Sequence, residues 1–373
     1  MTAAIPNDNG QLVFNGDAYE NFIETIKTEA TKKQYNYGLA QFMKFLAITD
    51  VDNLMVLAQD PKGLQSKIVD YVKFMAHTKK ISAVTINLYL CSVMHFYAMN
   101  DVTLNRKRIS RYIPQHLKRH KDRAYTTQEI AKLLEFCDLR NRAIVLLFAS
   151  TGMRIGAVPS LRLENVSKIQ RYGLYQITVY EGYDDEYICF CTPEAATAID
   201  TYLAFRERCG ENLTAKSQLF RSQFDTDDWE ALKQKDQAVA EITIQKMLER
   251  LNHISGVARS SPLKEGEKPA SADKRKPIMT SHGFRKFVNT TMINCKVDSS
   301  ARNKLLGHDI ALDKSYWRPQ VNDLLQEYLK AVDALTINEE NRLRKKVAEL
   351  TNKVDIIQEM QDQIKSLNEK LGL

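Results

Sequence analysis

The chain has 373 residues, 44% hydrophobic and 27% charged, values near the soluble globular average, which exclude wholesale disorder. At roughly 100–200 residues per domain, two or three domains are expected. The longest apolar run, residues 143–149, falls far short of the ~20 residues that a membrane span needs. Basic residues exceed acidic ones, 53 to 46, for a net charge of +7. The start, MTAAIPNDNGQLVF, has no basic stretch leading into an apolar one, so no secretory signal is expected. Cys91, Cys137, Cys189, Cys191, Cys209 and Cys295 form no C-x-x-C pair and have no histidine at zinc spacing. Reduced thiols, no metal and a cytoplasmic location are the expectation.

Residues 1–16 read as a flexible arm. Residues 17–104 read as a small helical bundle with four apolar stripes: Phe22, Ile23 and Ile26; Tyr37, Leu39, Phe42, Phe45 and Leu46; Ile68, Val69, Tyr71, Val72 and Phe74; and, after a Ser82 cap, Val84, Ile86, Leu88, Val93 and Phe96. Residues 105–123 (NRKRISRYIPQHLKRHKDR) carry Arg106, Lys107, Arg108, Arg111, Lys118, Arg119, Lys121 and Arg123 against Asp122 alone. The local excess equals that of the whole chain. Such a run between two folded blocks suits an interdomain strap on a phosphate backbone, although a run like it in isolation reads as a solvated loop.

Residues 124–336 mix helix and strand. Thr126 or Thr127 caps a helix over 128–137, and an almost wholly apolar helix over 139–150 ends at Thr151-Gly152. Alternation over 174–180 and again over 186–191, around the turn 181–185, gives a β-hairpin. Pro193 opens a helix over 194–208, and 242–254 is helical. Residues 255–277 read as a loop, and helices return at 282–294, 299–306 and 320–335. The fold class is therefore mainly α with a small antiparallel sheet (α+β). The tail, 337–373, spaces Leu343, Val347, Leu350, Val354, Ile357, Ile364 and Leu371, with Gln361 and Asn368 in the same seam, by alternating fours and threes. That is either a coiled-coil seam or an amphipathic helix folded back on its own core; self-association is the favoured reading.

Three segments bear on chemistry: Thr151-Gly152-Met153-Arg154, His282-Gly283-Phe284-Arg285, and Leu305-Leu306-Gly307-His308 followed by Tyr316. Singly, each is commonplace: a helix C-cap, a helix face, a turn. Together and in this order they resemble the tyrosine recombinase (phage-type integrase) family, over about residues 18–335. The stretch LGHDIALDKSYWRP is most similar to integrases of archaeal viruses and mobile elements. The resemblance implies an N-terminal core-binding domain (17–104), a basic linker (105–123) and a catalytic domain (124–336). It implies double-stranded DNA as partner, a homotetramer on paired sites, a Holliday junction intermediate, and no cofactor.

It also implies roles. Arg154 and Arg285 would grip the scissile phosphate, His282 would act as acid/base, and His308 would donate to a phosphate oxygen. Tyr316 would attack to leave a 3′-phosphotyrosyl ester and a 5′-hydroxyl. Tyr328 is the rival nucleophile. It shares a helix face with Leu324, Leu325 and Val332, whereas Tyr316 precedes Pro319, read as the first residue of a helix, so Tyr316 is favoured. Two departures stand out. The acidic residue that the family carries three positions after its first arginine is Ala157 here. The hairpin turn, where the family has a lysine that protonates the leaving oxygen, reads Glu181-Gly182-Tyr183-Asp184-Asp185-Glu186. Lys168, Arg171 and Lys216 are the cations that could stand in. The departures keep two other readings open: a catalytically impaired DNA-binding regulator, and a type IB-like topoisomerase.

Overall fold

The computed structural model describes residues 12, 14–115, 122–224, 237–257, 278, 280–308 and 319–338, together with 340, 342, 343, 347, 351, 360 and 361. The chain divides into two compact units, residues 1–119 and 120–373.

The first unit is helical. Helices α1 (Asp17–Glu24), α2 (Glu29–Leu46), α3 (Asn53–Ala58), α4 (Pro61–Lys73, continued by a π turn over Phe74–Thr78) and α5 (Ala83–Met99) enclose Phe22, Phe42, Tyr71, Phe96 and Tyr97. Side chains that satisfy the first free backbone N–H groups set the helix starts: Thr28 caps α2, Asp60 caps α4 and Ser82 caps α5. The predicted strap does not begin as extended chain. Asn105 caps a short helix, α6 (Arg106–Ser110), and Ile109 is fully buried in the core of this unit. One fully buried residue among six polar neighbours gives no periodicity, yet with Leu104 and Ile113 packed beside it the first part of the basic run folds onto the bundle.

The second unit surrounds α8 (Leu139–Thr151), which Asp138 caps and which is buried from Ala143 to Thr151. Before it lies α7 (Thr127–Leu134), opened by a reciprocal cap between Thr126 and Glu129. The hairpin is part of a three-stranded antiparallel sheet in the order β1-β2-β3: β1 (Val166–Ile169), β2 (Leu174–Val179) and β3 (Tyr187–Cys191). Ile177 pairs with Val166 on one side and Cys189 on the other. Cys189, Phe190 and Cys191 are all buried, so β3 is covered on both faces. Helix α9 (Pro193–Arg208) packs on α8, followed by α10 (Glu241–Ile254), α11 (Thr280–Asn294), α12 (Ser299–Leu305), α13 (Val321–Leu329) and α14 (Val332–Leu335).

Several expectations are revised. The helix expected over 320–335 breaks after Leu329, and Pro319 precedes the cap residue Gln320 rather than opening α13. The third strand, β1, is new. The loop over 255–277 lies almost wholly outside the described residues, as does most of the tail. In the described part of that tail, Leu343, Val347 and Met360 are exposed. Among the described residues no helix is long and apolar enough to cross a membrane, and no cluster of His, Cys, Asp and Glu could hold a metal.

Candidate active site

Gly152 ends α8 in the left-handed region (φ 63°). A Cβ there would lie 3.0 Å from Leu306 Cδ2 and 3.1 Å from Val288 Cβ, so both conformation and space call for glycine. The chain then turns outward. Met153 is buried, and Arg154 is extended (φ −70°, ψ 144°) and exposed, ahead of a 3-10 turn over Ile155–Ser160. Its Nη1 donates to the carbonyl of Gly307 at 3.0 Å.

Arg285 sits on α11, which aromatic contacts seat: Phe284 stacks between Tyr125 and Phe148, with centroids 4.4 and 6.0 Å away. Unlike Arg154 it is buried, 7% exposed. Its Nη1 donates to Gly152 O at 2.8 Å and its Nη2 to Leu306 O at 2.5 Å. The two guanidiniums thus bind the three sequence segments through main-chain oxygens. Burial lowers the Arg285 pKa, and the neighbouring Arg154 charge lowers it further. No carboxylate hydrogen-bonds either arginine among the described residues, so two positive charges converge with their attraction for anions unspent.

His308 completes the cluster. Asp298 caps α12, and the chain reverses at Gly307 (φ 62°), where a Cβ would lie 2.6 Å from the Tyr187 ring. The His308 Nδ1 is 3.3 Å from Asn303 Oδ1. Burial, Arg285, Arg154 and Arg302 together hold its pKa below the ordinary histidine value.

His282 lies on α11 one turn before Arg285 but is exposed. Its neighbour is Asp122, whose carboxylate pairs with Lys286 and is held below the usual range by that hydrogen bond and by the Lys286 and His282 charges. Tyr316 falls outside the described residues. Tyr328 is withdrawn from any substrate: it is fully buried, packs on Phe190 at 5.6 Å and donates to Ser150 O at 3.0 Å.

The basic run divides. Arg106, Lys107, Arg108 and Arg111 are exposed, with Arg106 Nη2 3.3 Å from Cys91 Sγ. Arg123 is instead engaged by Glu129 through two bonds of 2.7 and 2.6 Å. Lys118, Arg119 and Lys121 fall outside the described residues. Of the substitutes for a hairpin lysine, Lys168 pairs with Asp200 at 2.8 Å, Arg171 lies over the Tyr172 ring, and Lys216 offers its carbonyl to Arg162.

Two groups near the site were missed. Glu241, at the first turn of α10, places Oε2 3.4 Å from where a Gly156 Cβ would lie, beside the acid-less position Ala157. Tyr187 presents its ring to Gly307 with a buried hydroxyl that has no partner among the described residues. Neither lies near a recognisable motif; each is brought in by tertiary contact alone.

Residues 123–320 match the phage integrase family. The chain belongs to the phage integrase family. It is a site-specific tyrosine recombinase. No curated protein matches it. Among solved structures it is similar to a lambda integrase dimer bound to a COC′ core site (TM-score 0.52, 15% identity, 81% of this chain and 75% of that one). It is also similar to XerH site-specific recombinase bound to difH substrate before cleavage (0.51, 15%, 80% and 78%). A third likeness is the Tn1549 transposon integrase in complex with transposon right end DNA (0.50, 15%, 84% and 98%). At these identities the likeness establishes the integrase fold, mostly helical with a small antiparallel sheet.

Proposed function

We propose that this integrase cleaves and rejoins double-stranded DNA at a specific site through a 3′-phosphotyrosyl ester, integrating or excising a mobile element. The convergence of Arg154, Arg285 and His308 carries the reading. Two guanidiniums anchored on neighbouring main-chain carbonyls lie close enough to each other and to the His308 imidazole to shift its titration, and among the described residues no carboxylate hydrogen-bonds either arginine, which suits a phosphodiester whose charge grows in the transition state. Arg154 and Arg285 bind the non-bridging oxygens. His308 donates a hydrogen bond to the same phosphate, and His282 accepts the proton of the nucleophile Tyr316. The ester keeps the energy of the broken bond, so religation needs no nucleotide. The burial of Tyr328 favours Tyr316 as nucleophile.

In the same reading the helical unit and the basic residues Arg106, Lys107, Arg108 and Arg111 hold the duplex, with Lys118, Arg119 and Lys121 continuing the contact. A homotetramer acts on paired sites; a lambda integrase tetramer bound to a Holliday junction, with TM-score 0.52, supports that assembly. The C-terminal helix contributes self-association, and the exposure of Leu343 and Val347 is in keeping with it. The protein works on DNA in the cytoplasm, and the stretch LGHDIALDKSYWRP supports an origin in an archaeal virus or mobile element.

Covalent trapping tests the reading. Protein is mixed with a duplex pool in metal-free buffer, quenched with detergent and digested, and the DNA-linked peptide is identified by mass spectrometry. An adduct on Tyr316 that is absent from Tyr316→Phe is expected. Salt-sensitive DNA binding with no adduct would favour the catalytically impaired regulator. Relaxation of any plasmid regardless of sequence would favour the topoisomerase.

A further inference from the structure

Strand cleavage releases a 5′-oxygen, and an alkoxide leaves poorly unless it is protonated as it departs. The turn after β2 supplies no cation, and three described cations around the sheet are engaged elsewhere: Lys168 with Asp200, Arg171 over Tyr172, and Arg162 on the Lys216 carbonyl. The group that does stand at the arginine cluster is a phenol. Tyr180 directly follows β2 in the left-handed region (φ 56°), which takes its side chain out of the strand's regular alternation. Its hydroxyl lies 3.9 Å from where a Gly156 Cβ would be, two residues beyond Arg154. Its ring meets Tyr187 edge-on at 6.4 Å, and Tyr187 in turn abuts Gly307, the residue that anchors Arg154. Tyr180 is half-buried and also walls a polar cleft of about 610 Å³ together with Arg162, Asn165 and Tyr183. Among the described residues its hydroxyl has no hydrogen-bond partner. Tyr187 cannot serve instead, because its hydroxyl is sealed from solvent.

We propose that Tyr180, with its hydroxyl over Gly156 and beside the Arg154–Arg285 pair, touches the scissile phosphodiester and gives its proton to the departing 5′-oxygen. The proposal rests on the strand-transferase reading. In the step, the bond from the Tyr316 oxygen to phosphorus forms while the bond from phosphorus to O5′ breaks, and O5′ keeps that electron pair. O5′ takes the Tyr180 proton; the Tyr316 proton passes to His282. Solvent then returns a proton to the Tyr180 phenolate and removes one from His282, so the proton count is unchanged. Religation runs the same transfers in reverse.

The chemistry fits. A phenol and an alkylammonium have nearly the same acid strength, about 10 and 10.4, so either is strong enough to protonate an alkoxide. Burial and the Asp185 and Glu241 charges raise the Tyr180 pKa, which keeps the proton in place at neutral pH, while the nearby Arg154 and Arg285 charges favour the phenolate that its loss creates.

The test removes the need for the acid. A duplex recovered covalently attached to the wild-type protein from a randomised pool is resynthesised with sulfur bridging at the scissile 5′ position, since a thiolate departs without a proton. Tyr180→Phe is expected to cleave the oxygen duplex about 10²–10⁴-fold more slowly than wild type, yet the sulfur duplex within about threefold of it. Tyr180→Lys is expected to regain at least about tenfold over Tyr180→Phe on the oxygen duplex. Equal slowing on both duplexes would make Tyr180 a structural residue and overturn the proposal, as would no slowing on the oxygen duplex. Tyr316→Phe should be inactive on both. Failure of the wild-type protein to capture any duplex would overturn the strand-transferase reading, and this proposal with it.

Discussion

Gly307→Ala tests how the site is held. At φ 62° an alanine loses about 1–2 kcal/mol relative to glycine from the clash of Cβ with the following carbonyl. Its Cβ would also lie 2.6 Å from both Tyr187 Cδ1 and Cε1, an ordinary overpacking event of about 1–3 kcal/mol. Together these predict destabilisation of the catalytic unit by roughly 2–5 kcal/mol. The two parts separate in a double-mutant cycle. In a Tyr187→Ala background only the backbone part remains, so Gly307→Ala should there cost about 1–2 kcal/mol, a coupling of about 1–3 kcal/mol. Urea unfolding followed by circular dichroism measures all four proteins. The same alanine should shift the Gly307 carbonyl, loosen Arg154 and slow cleavage even at temperatures where the protein stays folded. An identical loss of stability in both backgrounds would refute the packing argument.

Tyr328→Phe should keep covalent adduct formation while costing about 1–3 kcal/mol of stability, because Ser150 O loses a buried donor; loss of adduct at full stability would contradict its placement in the core. Glu211→Gln should cost about 3–5 kcal/mol, since Glu211 neutralises the buried Arg206 and Arg221 at 2.6 and 3.1 Å. Burial alone would raise the Glu211 pKa, but its two arginine partners outweigh that and hold it low. Its contribution is therefore complete above the unfolded carboxylate value, about 4.3, and fades as pH falls towards the depressed folded value; the stability-versus-pH curve of the glutamine variant should lack that acid limb. Replacing Arg106, Lys107 and Arg108 by alanine should flatten the slope of log K against log salt for duplex binding by about 2–3, and Arg123→Ala by less than about 0.5, because Glu129 already engages Arg123. Equal slopes for the two variants would refute that distinction.

The elements readable in advance were those with local signatures. Helix α8 announces itself by an apolar run ending in Thr-Gly, α5 by its Ser82 cap, and the hairpin by alternation on both sides of a polar turn. The meeting of the three motif segments at Gly152, Leu306 and Gly307 was implied by the family resemblance and not by any local signature. Strand β1 could not be: Val-Ser-Lys-Ile is four residues with exposed middle positions, and only its pairing to β2 makes it a strand. Helix α6 hid inside a charge run because a single buried Ile109 sets no period. Glu241 and Tyr180 reach the site from residues 87 and 26 positions beyond Arg154, by folding rather than by spacing. Sequence periodicity reports which face of an element is apolar; it carries nothing about which distant element that face will meet.

The acceptors chosen by Arg154 and Arg285 have a consequence for how this site tolerates change. Gly152, Leu306 and Gly307 receive the guanidiniums on carbonyl oxygens, and every amino acid brings one of those. No codon change at these positions can delete an acceptor, as it could had an aspartate been used. Harm can come only through shape, by a residue that refuses the turn or crowds Val288 or Tyr187. The wiring is thus robust to side-chain drift and brittle to backbone drift, and a lineage could replace most of the surrounding surface while these two cations stayed where they are.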